Sequence, residues 1–502
     1  TFNCWEGDTL PQREIEPGLW QTELAIAPGR HLYRYVIDGR DWITDPANAW
    51  VSEDGQNNSC FTLDEDDHLL VRDARLGPDS PAPLYRHQAH PSPKWLRDGV
   101  IYELAVPAFG GDFKGVRERL PYLAELGVDI LWLMPIHPIG AHRRRGTLGD
   151  PYAVRDFLAI DPALGTADDF RALVDAAHAL GMRVLMDWTL NRASCDNPLI
   201  KAHPDWFTHD AAGRPNYLVP NRDDFTGFDF TNADLRTWLI EAMSFWLREY
   251  AIDGFRFDDS DLTPLDYLRE IRAALVTIRP DIGLISQSYD ELHHLGACDL
   301  TYEGGIREQI ARVARGEADA RALQAYWEAS TYSFPRGALR MRWLEEKERP
   351  RAFRHFDSPA LHQAAAALLL SLDGVPFLLM GQEFNEPNWR DWSSLFEPFA
   401  LDWQSFDQAS FGHYQALIAL RRAHPALRQG RLDFTLLAEA PSLVRFVREA
   451  NGEILRVTIN LAAWPRRLAE APQAILYAHA PQGEALGPQG LAPYACLIEK
   501  LA

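Results

Sequence analysis

Cysteine is scarce in this chain and arranged in no pattern that suggests chemistry. The five present, Cys4, Cys60, Cys195, Cys298 and Cys496, are scattered and odd in number. They show no CxxC spacing, which excludes a disulfide framework and a zinc site of ordinary ligand spacing. Cys298 follows an apolar stretch, where a buried, inert thiol is expected rather than a nucleophile. Long hydrophobic runs are missing too. None reaches the roughly 18 residues of a transmembrane helix, so no membrane partner is expected. Positive charge is in deficit, with 50 Lys and Arg against 71 Asp and Glu and a formal net charge of −21. That balance excludes a nucleic-acid partner, whose phosphates need a basic surface, and suits a neutral ligand. A signal-peptide pattern and an initiator Met are absent. The expectation is that an N-terminal piece has been removed and that the cytoplasm is favoured over export.

At 502 residues and 46% hydrophobic composition, the chain exceeds one compact core, and about two to four domains are expected. Residues 1–64 read as a small β domain. Trp20–Ile26 and His31–Ile37 alternate, and Pro28-Gly29 and Asp38-Gly39 supply turns. Residues 65–97 are a connector rich in proline and charge. Short apolar runs then recur at Val100–Val106, Val128–Leu133, Arg183–Trp188, Ile252–Asp258, Ile282–Ser286, Asp299–Tyr302, Ala352–Phe356 and Val375–Met380. Stretches with helical spacing separate them, such as Thr166–Leu180 and Ala233–Tyr250. Strands alternating with helices predict a (β/α)8 TIM barrel over 98–402, with its chemistry at the strand C-termini and a loop excursion at about 134–182. Residues 403–502 read as one helix, Phe411–His424, followed by a C-terminal β-sandwich containing Leu443–Arg448 and Leu455–Asn460.

Asp258 closes the run Gly254-Phe255-Arg256-Phe257-Asp258. It lies two residues after Arg256, so the two side chains share a strand face. An adjacent guanidinium holds a carboxylate ionised and oriented, as a nucleophile requires. The next apolar run ends in Leu284-Ile285-Ser286-Gln287. Several segments in order resemble the α-amylase family, glycoside hydrolase family 13. They are Ile101-Tyr102-Glu103, Pro151-Tyr152-Ala153, Met186-Asp187-Trp188-Thr189-Leu190-Asn191, Asp253–Asp258 and Gly374–Glu383. The resemblance implies an α-glucan or maltooligosaccharide substrate, with Asp258 as nucleophile and Tyr152 as a stacking platform. Asp187, Arg192, His355 and Phe356 would be further sugar contacts, and Asp357 the transition-state stabiliser. No cofactor is implied. Phe2-Asn3-Cys4-Trp5, Tyr33–Gly39 and Asn57-Asn58-Ser59 resemble carbohydrate-binding module family 48, with its opening strand missing. Trp5 and Trp42 are then possible sugar contacts or simple packing residues.

The departures matter as much as the matches. Gln287 stands where the family carries its acid/base glutamate, and an amide cannot transfer a proton. Arg192 and the pair His355-Phe356 replace expected residues, and Gly227 stands where an aspartate is usual. No metal is expected, because Gly227 offers no ligand for calcium, although Asn191 remains. Four departures around one pocket point to natural divergence rather than a single inactivating substitution. Asp290 and Glu291 read as a solvated acidic loop, with the role of alternative acid, which would need a reshaped loop, as the functional alternative, while Asp259 is expected on the strand face opposite Asp258. The Arg143-Arg144-Arg145 run reads as a solvated or inter-domain patch, with an anionic ligand as its functional alternative. Three readings stand: a retaining glycosidase or transglycosidase, a glucan-binding pseudoenzyme, and an interaction subunit. Linkage preference and oligomeric state are open.

Overall fold

The computed structural model describes residues 10–501 except 49, 53–56, 71–75, 211, 218, 220, 221, 438, 439 and 489. Cys4, Trp5 and the rest of the Phe2–Trp5 motif lie outside the described residues. Eight parallel strands close into a barrel in chain order. They are β1 (Ile101–Leu104), β2 (Ile130–Leu133), β3 (Arg183–Thr189), β4 (Gly254–Asp258), β5 (Gly283–Ser286), β6 (Leu300–Glu303), β7 (Leu339–Trp343) and β8 (Val375–Leu379). Nearly every residue in them is buried. That is why they read as continuous apolar runs: helices cover the outer face and side chains fill the inner one. The helix Ala167–Ala179 shows how sequence sets an element's start. Thr166 caps it by accepting the Asp169 N–H, and Asp169 reaches back to the Thr166 backbone, a reciprocal capping box.

The seventh strand is not the expected Ala352–Phe356. That segment forms a short helix, Ala352–His355, and β7 is Leu339–Trp343 instead. Two buried arginines interrupt the apolar pattern of β7. Arg342 is satisfied by Glu303 on β6 and by Asp373. Between β5 and β6 the only helical piece is one 3-10 turn, Glu291–His294. The N-terminal β domain docks at this connection. Arg30 donates its backbone N–H to Asp290 (2.7 Å) and a guanidinium N–H to the Tyr289 carbonyl (2.9 Å), and Thr62 donates to Glu291 (2.8 Å).

A long loop, 134–166, precedes the helix Ala167–Ala179, and a second long connection follows β3, over 190–232. The two join through Ser194 N–H to the Val154 carbonyl (2.9 Å) and through the Arg222–Asp150 ion pair (2.5 Å). Within the second, Arg192–Ser194 pairs antiparallel with Phe225–Gly227, setting Arg192 opposite Gly227. The Arg143–Arg145 run is pinned to this lobe: Arg143 meets Asp223 (3.8 Å), Arg145 meets Asp224 (3.5 Å) and Arg144 donates to the Gly140 carbonyl (3.2 Å).

The N-terminal strands form small antiparallel sheets, Gly29–Tyr33 with Ser59–Leu63 and Leu69–Leu70, and Tyr35–Ile37 with Asp41–Ile43. Trp42 is exposed on the last of these. At the other end lies a five-stranded antiparallel sheet in the order Arg431–Phe434, Leu443–Ala450, Glu453–Asn460, Cys496–Lys500, Ala474–His479. No helix among the described residues is long and apolar enough to cross a membrane.

Candidate active site

β3 and β4 run side by side in a register that pairs Asp187 with Arg256 and Thr189 with Asp258. β4 also approaches β5 closely at Gly254, where a Cβ would sit 1.9 Å from the Gly283 carbonyl oxygen. At the C-terminal ends, Arg256 bridges two carboxylates. Its Nη1 donates to Asp187 Oδ1 (2.8 Å) and Asp258 Oδ1 (2.5 Å), and its Nε donates to the Tyr302 hydroxyl (3.1 Å). Asp187 Oδ2 accepts from the Tyr152 hydroxyl (2.7 Å) and from Trp132 Nε1 (3.2 Å). Thus Asp187, Arg256, Asp258 and Tyr152 converge from separate loops and strands. All are buried, and a buried guanidinium holds its place only when carboxylates compensate it.

The second oxygen of Asp258 is also taken. Arg192 Nη2 donates to Asp258 Oδ2 (2.5 Å), while its Nη1 donates to Asp259 Oδ2 (2.6 Å) and to Asn191 Oδ1 (2.8 Å). Asp259 therefore does not point away from Asp258, as strand alternation requires. Its φ of 43° is left-handed, which ends the strand and turns the carboxylate back toward Arg192. Burial would raise the pKa of Asp258, but Arg256, Arg192 and Lys347 together hold it below the ordinary value. At Asp187 burial prevails over Arg256, and the shift is upward.

Tyr152 is only 5% exposed. Lys347 Nζ lies 5.4 Å from its ring centroid, and the guanidinium carbons of Arg256 and Arg192 lie 5.9 and 6.0 Å away. The expected sugar platform is thus surrounded by cations in this structure. Lys347 is itself buried, 3.5 Å from Glu103 Oε1 and 5.3 Å from the Trp132 ring.

The residues expected from the Ala352–Phe356 run are not part of this cluster. His355 ends a helix and pairs with Glu308 (3.4 Å); burial lowers its pKa to about 4. Phe356 is a core residue. Asp357 is exposed with φ 51°, and its N–H bonds the Arg354 carbonyl (3.2 Å). The segment following the true β7 is Leu344-Glu345-Glu346-Lys347-Glu348. Glu346-Lys347-Glu348 therefore occupies the strand-end place to which the resemblance assigned His355-Phe356-Asp357. Reading Leu339–Trp343 as a strand with buried arginines was the signal that could have found it. Glu348 meets Gln287, whose Nε2 donates to Glu348 Oε1 (3.4 Å) and whose Oε1 accepts the Asp259 N–H (3.0 Å). Asp290 and Glu291 face the N-terminal domain instead of this site. Cys298 is buried, and burial pushes its thiol up to about 12, consistent with an inert role.

Two further buried carboxyls give the protein a pH signature. Glu103 is pushed up to about 7 by burial, opposed by Lys347. Glu383 is likewise pushed to about 7 by burial, although Tyr122 (2.5 Å) and Tyr102 (2.8 Å) donate to its Oε1. Their folded values lie above the unfolded value of 4.5, so the folded state keeps protons that the unfolded state releases. The stability these two carboxyls contribute should therefore fall as pH rises from about 4.5 through 7, by up to about 1.4 kcal/mol per unit for each group. Asp253 and Asp373 are held low against their burial, Asp253 by His178 and Arg183 and Asp373 by Arg342 and Arg448. They act oppositely, withdrawing stability only as pH drops below about 3.8. Buried histidines such as His137 and His413, held down to about 4 and about 3, add stability as pH rises over the same range, so the carboxyls are read by difference: Glu383→Gln should gain stability relative to the parent as pH rises from about 4.5 to 7. A variant-to-parent difference that stays constant through this window would contradict the burial assigned to Glu383.

The fold and the strand-end carboxylates define a barrel protein of the glycosidase type. Comparison with known proteins gives the family. The model of the α-amylase catalytic domain matches residues 92–211. A noncanonic maltogenic α-amylase, AmyB from Thermotoga neapolitana, superposes with a TM-score of 0.68 at 32% identity, over 73% of this chain and 86% of that one. An α-amylase from Lactobacillus plantarum superposes with a TM-score of 0.71 at 28% identity, over 81% and 100%. In sequence, the α-amylase MalA of Haloarcula japonica is 26% identical over 77% of this chain, and the match spans 58% of that protein's length. A cyclomaltodextrinase from a Bacillus species is 24% identical over 91% of this chain and 84% of its own length. The chain belongs to the α-amylase family.

Proposed function

We propose that this chain is a retaining glycosidase or transglycosidase acting on α-glucans or maltooligosaccharides, with Asp258 as its nucleophile. The observation that carries the reading is the strand-end set in which Arg256 orients Asp258 while Asp187 and Tyr152 hold Arg256 from behind. In this scheme an Asp258 oxygen attacks the anomeric carbon, the glycosidic oxygen leaves with a proton from an acid, and water or a second sugar later releases the glycosyl ester. Relatives named α-amylase and cyclomaltodextrinase support the substrate class.

The resting site is guarded, because Arg192 occupies Asp258 Oδ2 and attack requires that oxygen to be free. A hydrogen bond to a charged group is worth about 1.5–3 kcal/mol. Arg192→His is therefore expected to raise turnover of α-glucosyl fluoride by about 10–100-fold, read as fluoride release. A variant slower than the parent would mean that Arg192 binds sugar rather than guarding the carboxylate. The same ion pair, with the amide at Gln287, favours the second reading, a glucan-binding pseudoenzyme. Reducing-sugar release from maltooligosaccharides, alongside calorimetry with maltotriose to maltoheptaose, separates the two. Binding without turnover of either substrate would favour the pseudoenzyme.

A further inference from the structure

This inference rests on the retaining-glycosidase reading. We infer that Glu348, on the loop after β7, is the general acid/base that replaces the missing glutamate. Three observations lead there. The first is position. Gln287 stands where the family's acid is expected, and its amide orientation is fixed because Oε1 accepts the Asp259 N–H. Its Nε2 therefore faces Glu348 Oε1, 3.4 Å away. The carboxyl lies one side-chain contact from the place of the lost acid, and Gln287 becomes its positioning residue.

The second is elimination by contact. Asp290 and Glu291 hold the N-terminal domain. Asp259 is bound by Arg192, and Asp187 by Arg256 and Tyr152. Asp261 accepts a hydrogen bond from the Ser288 hydroxyl. Glu348, by contrast, is exposed, and Gln287 is its hydrogen-bond partner at the site.

The third is proton affinity. Desolvation of the carboxyl and repulsion from Glu346, then from Asp259 and Asp258, push Glu348 up to about 7, against the attraction of Lys347. Water reaches the residue, so these neighbouring carboxylates contribute alongside desolvation. Asp258 is driven the other way by Arg256 and Arg192. Two carboxyls whose environments separate their affinities divide into acid and nucleophile. Protonated Glu348 would donate its proton to the glycosidic oxygen as Asp258 attacks C1. The alcohol leaves, and a glycosyl–Asp258 ester and a Glu348 carboxylate remain. That carboxylate then takes a proton from water as the water oxygen attacks C1, breaking the ester and restoring both groups.

The test compares the parent chain, Glu348→Gln, Glu348→Asp, Gln287→Glu/Glu348→Gln and Asp258→Asn on maltooligosaccharides and on α-glucosyl fluoride, whose leaving group needs little protonation. Glu348→Gln is expected to lose about 10²–10⁴-fold on the oligosaccharide and far less on the fluoride, with azide restoring fluoride turnover. The limb near neutral pH in kcat/KM should disappear with it. Glu348→Asp should retain part of that limb, and Gln287→Glu/Glu348→Gln should recover oligosaccharide hydrolysis. Equal loss on both substrates would make Glu348 a sugar contact and overturn the assignment. So would an unchanged pH limb in Glu348→Gln, and if Asp258→Asn still inactivates the parent the glycosidase reading would survive. A parent inert on both substrates would instead remove the glycosidase reading, and this inference with it.

Discussion

Asp258→Asn is expected to abolish fluoride release from α-glucosyl fluoride, by on the order of 10⁴-fold or more, the scale seen when a covalent nucleophile is removed. The change keeps the size of the side chain and deletes its charge. Arg256 and Arg192, which both donate to Asp258, would still find one amide oxygen but no anion. The substrate needs almost no acid assistance, so the loss would report the nucleophile alone. It should not be recovered by raising pH, because an amide has no proton to lose in the working range, whereas the parent Asp258 is held ionised by Arg256 and Arg192. Circular dichroism of the variant separates lost chemistry from lost structure. Activity within tenfold of the parent would remove Asp258 from the reaction, and the strand-end cluster would then be a structural charge network.

The second large effect is on stability. Arg256→Met should destabilise the barrel by about 3–5 kcal/mol, the scale found when one member of a buried ion pair is deleted and its partner is left uncompensated. Arg256 is fully buried and is shared by Asp187 and Asp258, themselves buried. Its removal strands two carboxylates, with Lys347 and Arg192 as the remaining nearby cations. Urea unfolding measures the loss. Arg256→Met/Asp187→Asn should recover part of it, since the second change removes one orphaned charge and residues in direct contact are not additive. A single variant within about 1 kcal/mol of the parent would show that water compensates these charges.

Much of this protein can be read from its sequence. Seven barrel strands announce themselves because strands covered on both faces must be apolar throughout, as in Val128–Leu133 and Val375–Met380. Arg256 and Asp258 can be paired from spacing alone, since alternate residues share a strand face. The seventh strand is hidden because Arg340 and Arg342 break its apolar pattern. The Glu303 and Asp373 carboxylates that make Arg342 affordable in the interior lie far away in sequence. Losing that strand moved the site residues to His355, Phe356 and Asp357, and away from Lys347 and Glu348.

Sequence by itself determined the barrel and the Asp258 carboxylate paired with Arg256, because periodicity and short-range spacing are local properties of a chain, and its ordered motifs carried the family resemblance. It also showed the amide Gln287 where the resemblance led one to expect a glutamate, since one residue type at one position suffices. Only the tertiary structure decided what surrounds that carboxylate. Arg192 reaches Asp258 from a loop beyond β3, Asp259 turns back through a left-handed φ, and Lys347 approaches from the loop after β7 beside the Tyr152 ring. Asp290 and Glu291, near Gln287 in sequence, are drawn off by the N-terminal domain, while Glu348, distant in sequence, comes to meet it. Charges act through space, and their neighbours exist only once the strands have closed into a ring.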